Sequence, residues 1–309
     1  MYQLRQTPFG TFTRYDIFNE ETGNSFSIVP ARGANVIDIV FRNQSILDGY
    51  ADPESLEKGK WGKSSVLFPF PNRLAGGSYN WPKKPYQFPI NNAATGNAIH
   101  GFVRDMPFDV EYFFLAEHGA SIRCYCNYDG RFDYFPFPFV LELEFAISDD
   151  GQFQVEVVVE NTGNSSFPFG FGWHPYFRLT EKAGDHKMKL PPSEWVVIDD
   201  RMIPTGDRLE FVDFKQNKLL GNTVLDTCFA AKSTKGSPKL SLEAADRKIT
   251  LKAPAKDFPF FQVFTPPHGE SVALEPMTCN VDAFNNKQGL QSLQPKQRWK
   301  SRFKITVSG

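Results

Sequence analysis

Apolar and acidic side chains alternate along VLELEFAI (140–147), and QFQVEVVVEN (152–161) nearly repeats the pattern after the turn-forming SDDG. Successive side chains of an extended chain point to opposite faces, so a period of two marks a strand with one face buried and one wetted. Two such segments joined by a turn predict a β-hairpin. The signal recurs in NVIDIVF (35–41), ASIRCYCNY (120–128), KLSLEA (239–244), KITLKA (248–253), FFQVFTP (260–266), SVALEP (271–276) and SRFKITV (301–307), and FNEETGNSFSIVP (18–30) reads as a further strand. Groups such as ETGN, NTGNS and DRK supply turns. The pattern predicts an all-β fold, a large antiparallel β-sandwich with few short helices. One helix is expected in DPESLEKGK (52–60), with Asp52 as cap, Pro53 at the first helical position and a glycine as stop. The stretches 58–118 and 162–195 read as loop-rich, and loops on a rigid scaffold are where function collects.

No internal repeat, low-complexity tract or shift in composition divides the 309 residues, so 1–309 reads as one domain. Phenylalanine is the compositional outlier, with 31 copies. Aromatic rings suit a pleated surface, and a few can offer flat faces to the C–H side of a sugar while most build the core. A net charge of −1, from 34 basic and 35 acidic residues, gives no field to gather nucleic acid or an anionic membrane. A small neutral or weakly charged partner fits better, and the expected state is a monomer or weak homodimer. The spacing of Cys124, Cys126, Cys228 and Cys279 matches no zinc framework, so all four are read as reduced, packed thiols of a cytoplasmic protein. The opening MYQLRQTPFGTFTRYD lacks the apolar run of a signal peptide, and no later segment has the unbroken apolar length of a membrane helix.

Phosphate loops, the G-x-S-x-G elbow, H-E-x-x-H and the dinucleotide fingerprint are all missing, so neither a cofactor nor a metal is expected. What stands out is FGFGWHPYF (169–177), a single histidine among aromatic residues. His174 is either a core imidazole tied up by its neighbours or a proton donor whose apolar surroundings help to set its pKa. Read alone, Glu275 can merely cap a turn, and Arg73 and Asp226 can be ordinary surface charges. His118, His186 and His268 lie in polar or glycine-bearing loops and are expected to be solvated.

Five segments, FPFPNRLAGGSYNW (68–81), GNAIHGFVRDMPF (96–108), FGFGWHPYFRL (169–179), VLDTCF (224–229) and VALEPMTCNVDAF (272–284), each resemble a motif of the aldose 1-epimerase (mutarotase) family, in that family's order. The resemblance covers nearly the whole chain. It implies the galactose mutarotase-like supersandwich, with a sugar bound in a cleft on one sheet. It further implies His174 as catalytic acid, Glu275 as catalytic base and His100 as a helper at the ring oxygen, with Arg73 and Asp226 binding hydroxyls; Trp173 offers a stacking face or is simply packed. Interconverting anomers requires a proton to leave the anomeric hydroxyl while another reaches the ring oxygen, a task for one carboxylate and one imidazolium. Three alternatives stay open. A hexose-6-phosphate mutarotase needs a cationic pocket, for which Arg104, Lys60 and Lys63 are the candidates. A glycoside hydrolase needs two carboxylates, as Asp226 and Glu275 could supply. A binding protein without activity has no use for a matched acid and base.

Overall fold

The computed structural model describes residues 1–233 and 235–309. Its framework is a nine-stranded and an eight-stranded antiparallel sheet, preceded by a five-stranded meander running from Gln3 to Ser45. The predicted hairpin forms the middle of the larger sheet, where Phe139–Ser148 pairs with Gln152–Asn161 over ten residues, and Leu141, Leu143, Phe145, Val155, Val157 and Val159 are buried as the alternation requires. Arg298–Ser308 then joins Gln152–Asn161 to Lys248–Lys252, so the end of the chain closes the sheet's centre. The glutamates of the opposite face do not stand alone: Arg123 lies within 3.3 Å of Glu142, Glu144 and Glu156.

The eight-stranded sheet carries, in order, Pro204–Phe211, Ser193–Ile198, Asp226–Ala231, Phe260–Phe264, Val272–Met277, Gly172–Trp173 and Val66–Leu67, with Tyr176–Phe177 also pairing with Val272–Met277. The two large sheets share one apolar core. Trp173 packs against Phe153 and Phe303 of the nine-stranded sheet, with ring centroids 6.3 and 5.7 Å apart. Helix is confined to short pieces, and Pro53–Lys58 is built as expected: the Asp52 side chain accepts from the Ser55 N–H, and Gly59 ends the turn at φ 57°.

Several boundaries differ from the sequence reading. The 18–30 segment is two strands, Phe12–Asn19 and Asn24–Val29, because the ETG turn falls inside it. The stretch read as loop up to 118 contains the edge strand Asp109–Leu115, whose alternation is broken by a bulge between Val110 and Tyr112. Ser193–Ile198 and Pro204–Phe211 were not anticipated, since the second is an exposed edge strand with proline and glycine at its start. All four cysteines are free and buried.

Candidate active site

Antiparallel register assembles one face of the eight-stranded sheet into a polar floor. Asp226 lies opposite Phe264, which lies opposite Ala273, and Ala273 opposite Tyr176. One step along, Cys228 faces Gln262 and Gln262 faces Glu275. Alternate residues share a face, so Asp226, Gln262, Phe264 and Glu275 stand on the same side, and their immediate neighbours Phe261, Val263 and Leu274 turn into the apolar core. His174, between the short strands Gly172–Trp173 and Tyr176–Phe177, completes this face and is tied to the neighbouring segment at both ends: its N–H donates to the Ser65 carbonyl and its own carbonyl accepts from Ser64.

His174 Nε2 lies 3.4 Å from Glu275 Oε1. Both side chains are almost fully buried, and His174 Nδ1 and Glu275 Oε2 have no hydrogen-bond partner among the described residues. A buried polar atom left unpaired is costly, and here two of them sit on adjacent ionisable groups. The imidazole stacks on Tyr176 with centroids 4.9 Å apart and rings within 5° of parallel. Burial pushes the His174 pKa down to about 3, with the Arg104 cation adding to the shift. Burial likewise raises the Glu275 carboxyl well above the ordinary carboxylate range; Asp226 reinforces this and Arg73 opposes it. Burial thus favours the uncharged form of each group, a neutral imidazole facing a protonated carboxyl.

A second group of residues is threaded by hydrogen bonds. Asn72, in the left-handed region at φ 57°, donates its backbone N–H to His100 Nδ1 at 3.2 Å, and the His100 N–H donates back to the Asn72 carbonyl. With Nδ1 accepting, the His100 proton sits on Nε2; burial, then the neighbouring His174, Arg104 and Arg73, keep this ring well below its usual pKa and therefore neutral. Asn72 Nδ2 donates to Gln262 Oε1 at 3.1 Å, and Gln262 Nε2 donates to Asp226 Oδ1 at 2.5 Å. Arg73 closes the circuit: Nη1 donates to Asn72 Oδ1 and Nη2 lies 3.6 Å from Asp226 Oδ2. Arg73 and His100 are neighbours because Arg73–Leu74 pairs with Ala98–Ile99. Gly101 seals the junction: at φ 62°, a Cβ there would lie 2.1 Å from the Phe68 carbonyl oxygen.

These side chains line an open cavity of about 400 Å³, walled by Trp61, Phe264 and Tyr176 and bordered by Arg104. Trp61 and His100, like Asn72, hold positive φ, and such strain clusters where structure serves function. Five of the six residues singled out from sequence, His174, Glu275, His100, Arg73 and Asp226, converge on this one cavity. Trp173 does not. It is fully buried on the opposite side of the sheet, its indole N–H spent on the Ser64 carbonyl, because adjacent strand residues face opposite ways. The aromatic surfaces at the cavity are Trp61 and Phe264 instead, with centroids 6.1 Å apart. His186 also departs from expectation: it is buried, its Nε2 accepting from the Leu179 N–H and its Nδ1 beside the Ala183 carbonyl. His118 and His268 are exposed as expected. Asn72 and Gln262 escaped the sequence reading; the one available signal was a lone polar residue inside the otherwise apolar strand FFQVF.

The family model described as aldose 1-epimerase matches residues 19–306. The uncharacterized protein YihR of Escherichia coli K12 is 24% identical over 271 residues, covering 85% of this chain and 84% of its own. A galactose mutarotase-like protein from Clostridium acetobutylicum superposes with a TM-score of 0.88 at 19% identity, over 100% of this chain and 99% of its own. A galactose 1-epimerase from Lactobacillus acidophilus does so with a TM-score of 0.84 at 14% identity, over 100% and 98%.

Proposed function

Because the chain belongs to the aldose 1-epimerase family, we propose that it interconverts the α and β anomers of a free aldose by acid–base ring opening and reclosure. The observation that carries this reading is the approach of His174 Nε2 to within 3.4 Å of Glu275 Oε1 on the floor of a sugar-sized cavity, which brings an imidazole and a carboxyl within reach of one proton. A bound sugar offers a hydroxyl to the carboxylate and an ether oxygen to the imidazolium. Hydrogen bonds of that kind favour the charged forms, so binding moves the shared proton onto His174.

Glu275 then takes the proton of the anomeric hydroxyl while His174 gives its own to the ring oxygen. The bond between the anomeric carbon and that oxygen breaks, leaving an aldehyde and a hydroxyl. Rotation about the bond to the next carbon presents the other face of the aldehyde, and the same transfers in reverse close the ring inverted. The proton count of the pair is the same before and after ring opening, so no solvent proton is required. His100, with its proton on Nε2, donates toward the ring oxygen as negative charge develops there. Arg73 and Asp226, bound to each other and to the Asn72–Gln262 bridge, present a fixed donor and acceptor to ring hydroxyls. Trp61 supplies a face for the C–H side of the sugar.

Replacing Glu275 by Gln or His174 by Asn removes one half of the pair at nearly constant size. Each change is expected to lower kcat by roughly 10²–10⁴-fold, the usual worth of a positioned acid or base. Saturation-transfer proton NMR between anomeric resonances gives the rate, and circular dichroism confirms an intact fold. Wild-type rates in either variant would contradict these roles.

A further inference from the structure

The charges around the cavity do not cancel. Burial favours a neutral imidazole on His174 and a protonated carboxyl on Glu275, so the two add no net charge, and Arg73 is matched by Asp226. Arg104 is left over. Its one ion pair among the described residues is from Nε to Asp105 Oδ2 at 3.6 Å, and that carboxylate is held more closely by Arg32, so two cations share one anion. Neither Nη of Arg104 donates a hydrogen bond within the described residues, while the side chain, 22% exposed, borders the cavity. A guanidinium with a free fork at the border of this open cavity is a ready site for an oxyanion, which it can grip through two parallel hydrogen bonds. A further cation, Lys60, rests over the Trp61 ring, Nζ 5.4 Å from its centroid, and lines the neighbouring cavity that Trp61 also borders.

We propose that Arg104 makes this a mutarotase for sugars bearing an anionic group on the carbon substituent beside the ring oxygen. The location follows from the neighbours of Arg104. Arg104 lines the cavity together with His174 and His100, whose ring centroids are 5.3 Å apart and which are the two imidazoles assigned to the ring oxygen, so it is placed at that end of the sugar. In a pyranose the exocyclic carbon nearest the ring oxygen is the sixth, and a phosphate, sulfonate or carboxylate there reaches Arg104 while the anomeric centre rests between His174 and Glu275. The same placement couples recognition to catalysis. An unmatched Arg104 opposes a proton on His174, whereas an anion seated on Arg104 relieves that opposition and so favours the acid form needed at the ring oxygen.

This inference rests on the mutarotase reading, and the test separates the two. Anomer exchange of glucose, glucose 6-phosphate and glucuronate is measured by saturation-transfer NMR with the wild type and with Arg104→Gln, and binding of the same three compounds by isothermal calorimetry. We expect kcat/KM for at least one charged sugar to exceed that for glucose by tenfold or more, with kcat contributing as well as KM. Arg104→Gln should cut the charged-to-neutral ratio at least tenfold, and Arg104→Lys should restore part of it. Whichever of the two anions is preferred distinguishes phosphate from carboxylate. Glucose turned over as well as both charged sugars, or an equal loss for all three in Arg104→Gln, would overturn the assignment. If no sugar exchanges, the mutarotase reading fails, and calorimetry still decides on Arg104: charged-sugar binding that weakens tenfold in Arg104→Gln supports the anion site, and absent or unaffected binding refutes it.

Discussion

An imidazole whose pKa lies near 3 and a carboxyl raised well above its ordinary range define a reaction window unlike that of an exposed histidine. As pH falls through the lower step, His174 gains a proton while Glu275 still holds one, and the base is lost; as pH rises through the Glu275 step, the pair loses its only proton, and the acid is lost. The expected pH profile of kcat/KM therefore shows no acid limb near 6.5 and bends on the acid side only well below it. An acid limb centred near pH 6.5 would contradict the shared-proton pair. At the same scale, Gln262→Leu leaves Asn72 Nδ2 and Asp226 Oδ1 without their partner, and kcat/KM should fall by at least tenfold with little change in KM for a sugar lacking hydroxyls near Asp226. His174, Glu275, His100, Arg73 and Asp226 were legible because each sits in a distinctive local motif. Asn72 and Gln262 were not, because what marks them is a hydrogen bond between residues 190 positions apart. Trp173 was read by its nearness in sequence to His174, when strand alternation sends the two to opposite faces.

Among the elements, strands buried on one face and wetted on the other announced themselves, and the hairpin at 139–161 is the clearest case. Edge strands such as Asp109–Leu115 did not, since an edge facing solvent on several sides has no strict alternation to show and a bulge shifts what there is. The loop carrying His100 was recognisable as a site but not as a structure, because its course depends on contact with a distant backbone. Gly101→Ala tests that contact. The left-handed φ alone costs about 1–3 kcal/mol for a side-chain-bearing residue, and the overlap with the Phe68 carbonyl adds to it. A lower urea midpoint at constant m-value, with a loss of activity from displaced His100, is expected; wild-type stability would show that the loop is free to shift.

Across the whole molecule, one cluster of buried side chains extends from Tyr2 to Ile305 and draws on the meander and both large sheets. We propose that these parts unfold together as one domain. Cys124, Cys126, Cys228 and Cys279 report on this, since all four are buried and burial raises their thiol pKa values, to about 12 for Cys124, Cys126 and Cys279. Cys124 and Cys126 lie in the nine-stranded sheet, Cys228 in the eight-stranded one. All four should resist a thiol reagent in the native state and react over one denaturant transition that coincides with the loss of circular dichroism. Early reaction of Cys228 alone would divide the sandwich into independently opening halves. Strand pairing matters to function because Glu275 and His174, 101 positions apart, are brought together where Val272–Met277 pairs with Gly172–Trp173 and Tyr176–Phe177. The most direct test of that meeting is saturation transfer between α and β anomeric protons of a panel of neutral and acidic aldoses. Exchange that rises in proportion to added protein for at least one sugar, and vanishes with Glu275→Gln, is the result expected; exchange at the uncatalysed rate for every sugar would contradict it.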